Sequence, residues 1–136
     1  MTDARRVLVV DDQEDIREMA QLVLTGAGYE VRTASSGREA LRLAREAPFG
    51  LMLLDINMPE LDGWATLRLL RADETQDDLK VAMFSVKSEV RDKVAGLKDG
   101  AIDYLQKPFS VDELVSRVSR ILAADGASAV PTASPR

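Results

Sequence analysis

The sequence predicts an α/β domain, a doubly wound parallel sheet of five strands alternating with five helices. Three observations predict it. Short apolar, β-branched runs recur along the chain, and amphipathic helical stripes separate them. The runs are nearly continuous in apolar character, as in parallel strands buried on both faces. A strict strand–helix alternation then favours a parallel sheet over segregated layers.

Each element has its own signal. "RRVLVV" (5–10) is the first strand. Ile16, Met19, Ala20, Val23 and Leu24 form one stripe of a helix over 14–26, which Gly26 and Gly28 stop. "YEVRTA" (29–34) alternates like a half-buried strand. Ser36 and Glu39 have capping-box spacing and open a helix with Ala40, Leu41 and Ala44 inward, closed by Pro48 and Gly50. "LMLL" (51–54) is the third strand, and a short helix over 63–71 carries Leu67 and Leu70. "KVAMF" (80–84) is the fourth strand. A weaker helix over 88–97 shows Val90, Val94 and Leu97, with Gly96 lowering its propensity. "AIDYL" (101–105) is the fifth strand, and Ser110 with Glu113 caps a last helix bearing Leu114, Val115, Val118, Ile121 and Leu122. Residues 124–136 are rich in Ala, Ser, Pro and Gly without period. The expected division is a folded domain over 1–123 and a disordered tail over 124–136.

Composition bounds the function. A chain of 136 residues suits one core. The formal net charge of -5 argues against direct binding to nucleic acid, which needs a basic surface. With no cysteine there is neither a disulfide nor a thiolate metal site, consistent with a reducing compartment. No apolar run approaches a membrane span, so the expectation is a cytoplasmic protein with no membrane contact. The absence of histidine excludes a histidine base, a histidine ligand and a phosphohistidine carried by this chain.

Ligands of such sheets bind beyond the carboxyl ends of the strands, so the residues after each strand matter most. Asp11 and Asp12 follow the first, Asp55 the third, Ser85 the fourth, and Lys107 lies just past the fifth. The second strand ends in uncharged Thr33 and Ala34, as an edge strand outside the site would. Singly, each residue has an ordinary use as a helix cap, a turn residue or a solvated charge. Their joint placement at the ends of four strands is far less ordinary. Three close carboxylates repel one another unless a cation neutralises them, and oxygen-only ligands suit Mg²⁺. Lys107 and Ser85 are then suited to hold phosphoryl oxygens. An Asp can itself be the nucleophile. Asp55, on a central strand, is the candidate, with Asp11 and Asp12 as metal ligands.

Those residues sit in "VLVVDDQEDIRE" (7–18), "LLDINMPELDGW" (53–64), "MFSVKSE" (83–89) and "YLQKPFSVDEL" (104–114). Together they cover residues 5 to 123, and the chain resembles the receiver domain of two-component response regulators. The resemblance implies a flavodoxin-like fold with strand order 2-1-3-4-5, supplied by the family and not by the pattern. It implies that Asp55 takes a phosphoryl group from a histidine kinase or histidine phosphotransfer protein. Mg²⁺ would be held by Asp12, Asp55 and the main-chain carbonyl of Asn57, with Asp11 acting through water. Lys107 would pair with the acyl phosphate, and Ser85 with Tyr104 would form the hydroxyl–aromatic switch. A cis peptide before Pro108 would aim the lysine.

Output would pass to a downstream protein through the face made by the 88–97 helix, the fifth strand and the last helix. The expected state is a monomer, with phosphorylation-linked dimerisation as the alternative. No turnover enzyme is implied beyond self-phosphorylation and slow dephosphorylation. With only a structureless stretch after the last helix, the expectation is a stand-alone regulator. The alternatives are a fragment of a longer regulator and a phosphorylation-independent adaptor. Ser85 replaces the family's usual Thr, and Val86 its usual Ala or Gly; with Lys87, Val86 bears on phosphoryl lifetime. A haloacid-dehalogenase-type phosphatase would need an acid where Asn57 stands, and an amide cannot serve as a general acid.

Overall fold

The computed structural model describes residues 5–85 and 100–127. Five strands, β1 (Arg6–Val10), β2 (Glu30–Ala34), β3 (Leu51–Asp55), β4 (Lys80–Ser85) and β5 (Asp103–Gln106), form one parallel sheet in the order β2-β1-β3-β4-β5. Among the described residues the α-helices are α1 (Glu14–Gly26), α2 (Gly37–Glu46), α3 (Gly63–Ala72) and a C-terminal helix (Val111–Ala127). The helix expected over 88–97 lies outside the described residues, as do Val86 and Lys87.

Two cores sandwich the sheet, because alternate side chains of a strand point to opposite faces. Val7, Val9, Leu51, Leu53, Ala82 and Phe84 pack on α1 and the C-terminal helix. Leu8, Val10, Met52, Leu54, Val81 and Met83 pack on α2 and α3. Each fully buried aliphatic side chain contributes about 2 kcal/mol. β2 is an edge strand, which explains its exposed Glu30 and Arg32.

Caps set the helix starts. Ser36 Oγ accepts from Glu39 N–H at 3.1 Å, while the Glu39 carboxylate reaches back to Ser35 N–H at 2.8 Å. Ser110 Oγ accepts from Glu113 N–H at 3.0 Å, and Asp62 from Ala65 N–H at 2.9 Å.

Several boundaries differ from the sequence expectation by one to four residues. β3 and β4 each extend one residue, to include Asp55 and Ser85, because ladder pairing continues through Asp55↔Phe84 and Ser85↔Gln106. β5 begins at Asp103, not at 101, where its ladder with Ala82 starts. The helix at the C-terminus continues to Ala127, past residue 123. A short 3-10 helix (Glu74–Gln76) also precedes β4, capped by the Asp73 carboxylate on Thr75 N–H at 3.1 Å.

Candidate functional site

A parallel sheet delivers every strand's carboxyl end to one edge, and the polar residues meet there. Asp11 follows β1 and continues its ladder by donating its N–H to Ala34 O at 3.1 Å. Asp55 and Ser85 are the last residues of β3 and β4. Lys107 follows β5, held by its N–H to Ser85 O at 2.8 Å. The Lys107–Pro108 peptide is cis, as expected.

Four of these polar groups are buried. Asp11 and Ser85 are 0% exposed, Asp55 3% and Lys107 9%. Asp12 and Asn57 sit at the exposed mouth. Lys107 Nζ lies 2.6 Å from Asp11 Oδ2 and 3.5 Å from Asp55 Oδ1. Gln13 N–H donates to the other Asp11 oxygen at 2.9 Å, and Arg17 donates to Asp11 O at 2.8 Å. Asn57 Nδ2 donates to Ser85 Oγ at 3.1 Å.

Asp55 pays electrostatically for this position. Burial, followed by the Asp11 charge, pushes its carboxyl from 3.8 up to about 6. The nearby Lys107 charge and the Asn57 backbone N–H pull the other way and do not win. The carboxylates of Asp11, Asp12 and Asp55 each bring an oxygen within 4.8 Å of the others. An all-oxygen cluster whose members repel is suited to a hard divalent cation, which would relieve the repulsion.

Asp12, Asp55, Asn57, Ser85 and Lys107 line one cleft, together with Gln13, and Asp11 lies behind it as the lysine's partner. Tyr104 does not join them. It sits on β5 opposite Met83, buried in the core on the α2–α3 face.

Three contributors escaped the sequence reading. Gln13 lines the cleft beside Asp12. The Lys107 ammonium stands 4.8 Å from the centre of the Phe84 ring, a cation–π contact. Gly63 lets α3 close on the end of β3, since a Cβ there would lie 2.3 Å from Asp55 O. The Asp62-Gly63 step was a legible signal for that approach. Nothing local marks Phe84 or Gln13.

The sheet order and the acid–lysine cluster at its carboxyl edge are those of a doubly wound domain with a site suited to a divalent cation and an anion. Residues 7–119 match the family described as "Response regulator receiver domain", and the chain belongs to that family, the receivers of two-component phosphorelay signalling. It is 48% identical over 124 residues to Transcriptional regulatory protein PrrA of Mycobacterium tuberculosis, covering 91% of this chain and 52% of PrrA. Response regulator MprA of Mycolicibacterium vanbaalenii is 43% identical over 117 residues, covering 86% of this chain and 50% of MprA. Chemotaxis protein CheY4 of Vibrio cholerae superposes with a TM-score of 0.82 at 35% identity, covering 85% of this chain and 97% of that one. The chain spans about half the length of PrrA and MprA. Among the described residues no helix is long and apolar enough to cross a membrane.

Proposed function

We propose that Asp55 is the phosphoryl acceptor of this receiver. The observation that carries the reading is the convergence of Asp11, Asp12 and Asp55 with Lys107 at one sheet edge. An Asp55 oxygen forms the new P–O bond as the P–N bond of a partner's phosphohistidine breaks, and the electron pair leaves with the imidazole. The family points to a histidine kinase or histidine phosphotransfer protein as the donor, and no residue within these 136 could itself carry the phosphohistidine. Asp12, Asp55 and the Asn57 carbonyl would hold Mg²⁺, with Asp11 behind them; bound there, the ion supplies charge neutralisation for the carboxylates and the phosphoryl oxygens. Lys107 neutralises the acyl phosphate, and Ser85 donates to one of its oxygens.

Output follows from the Ser85 movement. Its hydroxyl turns toward the phosphoryl group, and Tyr104 turns into the space vacated. The face that includes β5 and the C-terminal helix then changes shape and favours a downstream protein.

Incubation with Mg²⁺ and acetyl phosphate tests the acceptor. One acid-stable, base-labile phosphoryl group per chain is expected, absent in Asp55→Asn and nearly absent in Asp12→Ala. Full labelling of Asp55→Asn would place the acceptor elsewhere. Rapid release of phosphate without accumulation of labelled protein would mean a phosphatase, and no labelling an adaptor.

A further inference from the structure

The Asn57 side chain has no part in the chemistry above, which uses only its main-chain carbonyl. Yet its Nδ2 donates to Ser85 Oγ at 3.1 Å. Backbone hydrogen bonds anchor the strand end that carries Ser85 and the residue before Asn57. The Ser85 carbonyl is pinned by Lys107 N–H at 2.8 Å. The loop carrying Asn57 is pinned by Ile56 N–H to Phe84 O at 3.2 Å and by Gly63 N–H to Ile56 O at 2.9 Å. With these anchors, the Ser85 oxygen moves by a change of rotamer. Such a change carries it away from the Asn57 amide.

We propose that the Asn57 side chain is a positioning residue that latches Ser85 in its resting rotamer, so that phosphorylation must break this bond before the switch can turn. The latch rests on the phosphoacceptor reading of Asp55. It makes Asn57 a determinant of how readily the domain activates, separate from any role of its carbonyl at the metal. A hydrogen bond present only in the resting state biases a two-state equilibrium by its net strength. Removing the amide should therefore tighten the binding of a phosphoryl mimic by about three- to tenfold.

Wild type, Asn57→Ala, Ser85→Ala and the double variant are titrated with beryllofluoride at fixed Mg²⁺. Trp64, the sole tryptophan, reports through its fluorescence from the first turn of α3. Asn57→Ala should bind more tightly than wild type when Ser85 is present and show no gain when position 85 is Ala. Any effect of Asn57→Ala on the metal site enters both arms of the cycle and cancels. In metal-free protein, the Asn57 side-chain amide NMR signal should shift on Ser85→Ala. An equal effect of Asn57→Ala in both backgrounds, whatever its sign, overturns the latch. If wild type is labelled on Asp55 but the cycle shows no coupling, only the latch fails. If wild type neither binds beryllofluoride nor is labelled by acetyl phosphate, the phosphoacceptor reading fails and takes the latch with it.

Discussion

Lys107 is committed to Asp11 rather than to Asp55. Its ammonium lies 2.6 Å from an Asp11 oxygen and 3.5 Å from the nearer Asp55 oxygen. Asp55 therefore carries a buried charge that its neighbours only partly compensate, and several consequences can be measured.

Asp55→Asn should stabilise the metal-free protein at neutral pH. The carboxyl rises from 3.8 to about 6 on folding, so between those values the native state holds a proton that the unfolded state has lost. Stability from this group is complete below pH 3.8 and is lost as pH rises through about 6. The full loss is roughly 3 kcal/mol, at about 1.4 kcal/mol per pKa unit. Urea unfolding should show the variant ahead by about 1–3 kcal/mol at pH 7.5 and level with wild type near pH 4. Equal stabilities at pH 7.5 would mean that Asp55 ionises without penalty.

Magnesium affinity should follow the same titration. Below about pH 6 the Asp55 carboxyl takes up a proton, which the cation must displace. Trp64 fluorescence titrations should show affinity level above neutrality and falling by up to about tenfold per pH unit in acid. A pH-independent affinity would remove Asp55 from the ligand set.

Lys107→Met should cost about 3 kcal/mol at pH 7.5 in the absence of metal. It leaves Asp11, which is 0% exposed, without its cation, and stranding one member of a buried pair is costly. Mg²⁺ should bind more tightly to the variant, since a competing positive charge is gone, and should restore part of the stability. Calorimetric unfolding with and without Mg²⁺ measures both effects; an unchanged metal-free stability would contradict the assignment.

Gly63→Ala should destabilise by about 2–3 kcal/mol and slow Asp55 labelling. The added methyl would meet Asp55 O at 2.3 Å and Ile56 Cα at 2.8 Å. Both are backbone atoms, so α3 or the end of β3 must move. A variant as stable and as quickly labelled as wild type would show that the helix start has room to spare.

Saturation with Mg²⁺-beryllofluoride should shift the amide NMR signals of Tyr104 and of residues along the C-terminal helix. Reciprocity requires a partner that prefers this state to raise beryllofluoride affinity by the same factor. Changes confined to the Asp55 cleft would mean that the signal leaves by another face.

The sequence determined the alternation of strands and helices, since that is written in local periodicity and capping. Ser36 and Ser110 each cap the helix that follows them, as their spacing from Glu39 and Glu113 predicts. The residues at the strand ends were equally legible, because carboxylates and a lysine directly after apolar runs are conspicuous without any contact information. The strand order came through family resemblance, because periodicity within a strand does not say which strand lies beside it. Only the tertiary structure decided the division of labour within the cluster. That Lys107 pairs with Asp11, that Asn57 bonds Ser85 and that Gln13 lines the cleft depend on side-chain distances between residues far apart in the chain or across a loop. The boundaries of β3, β4 and β5 were settled the same way, by ladder hydrogen bonds to a neighbouring strand. Local pattern fixes which residues can be buried, whereas packing fixes which buried group each one meets.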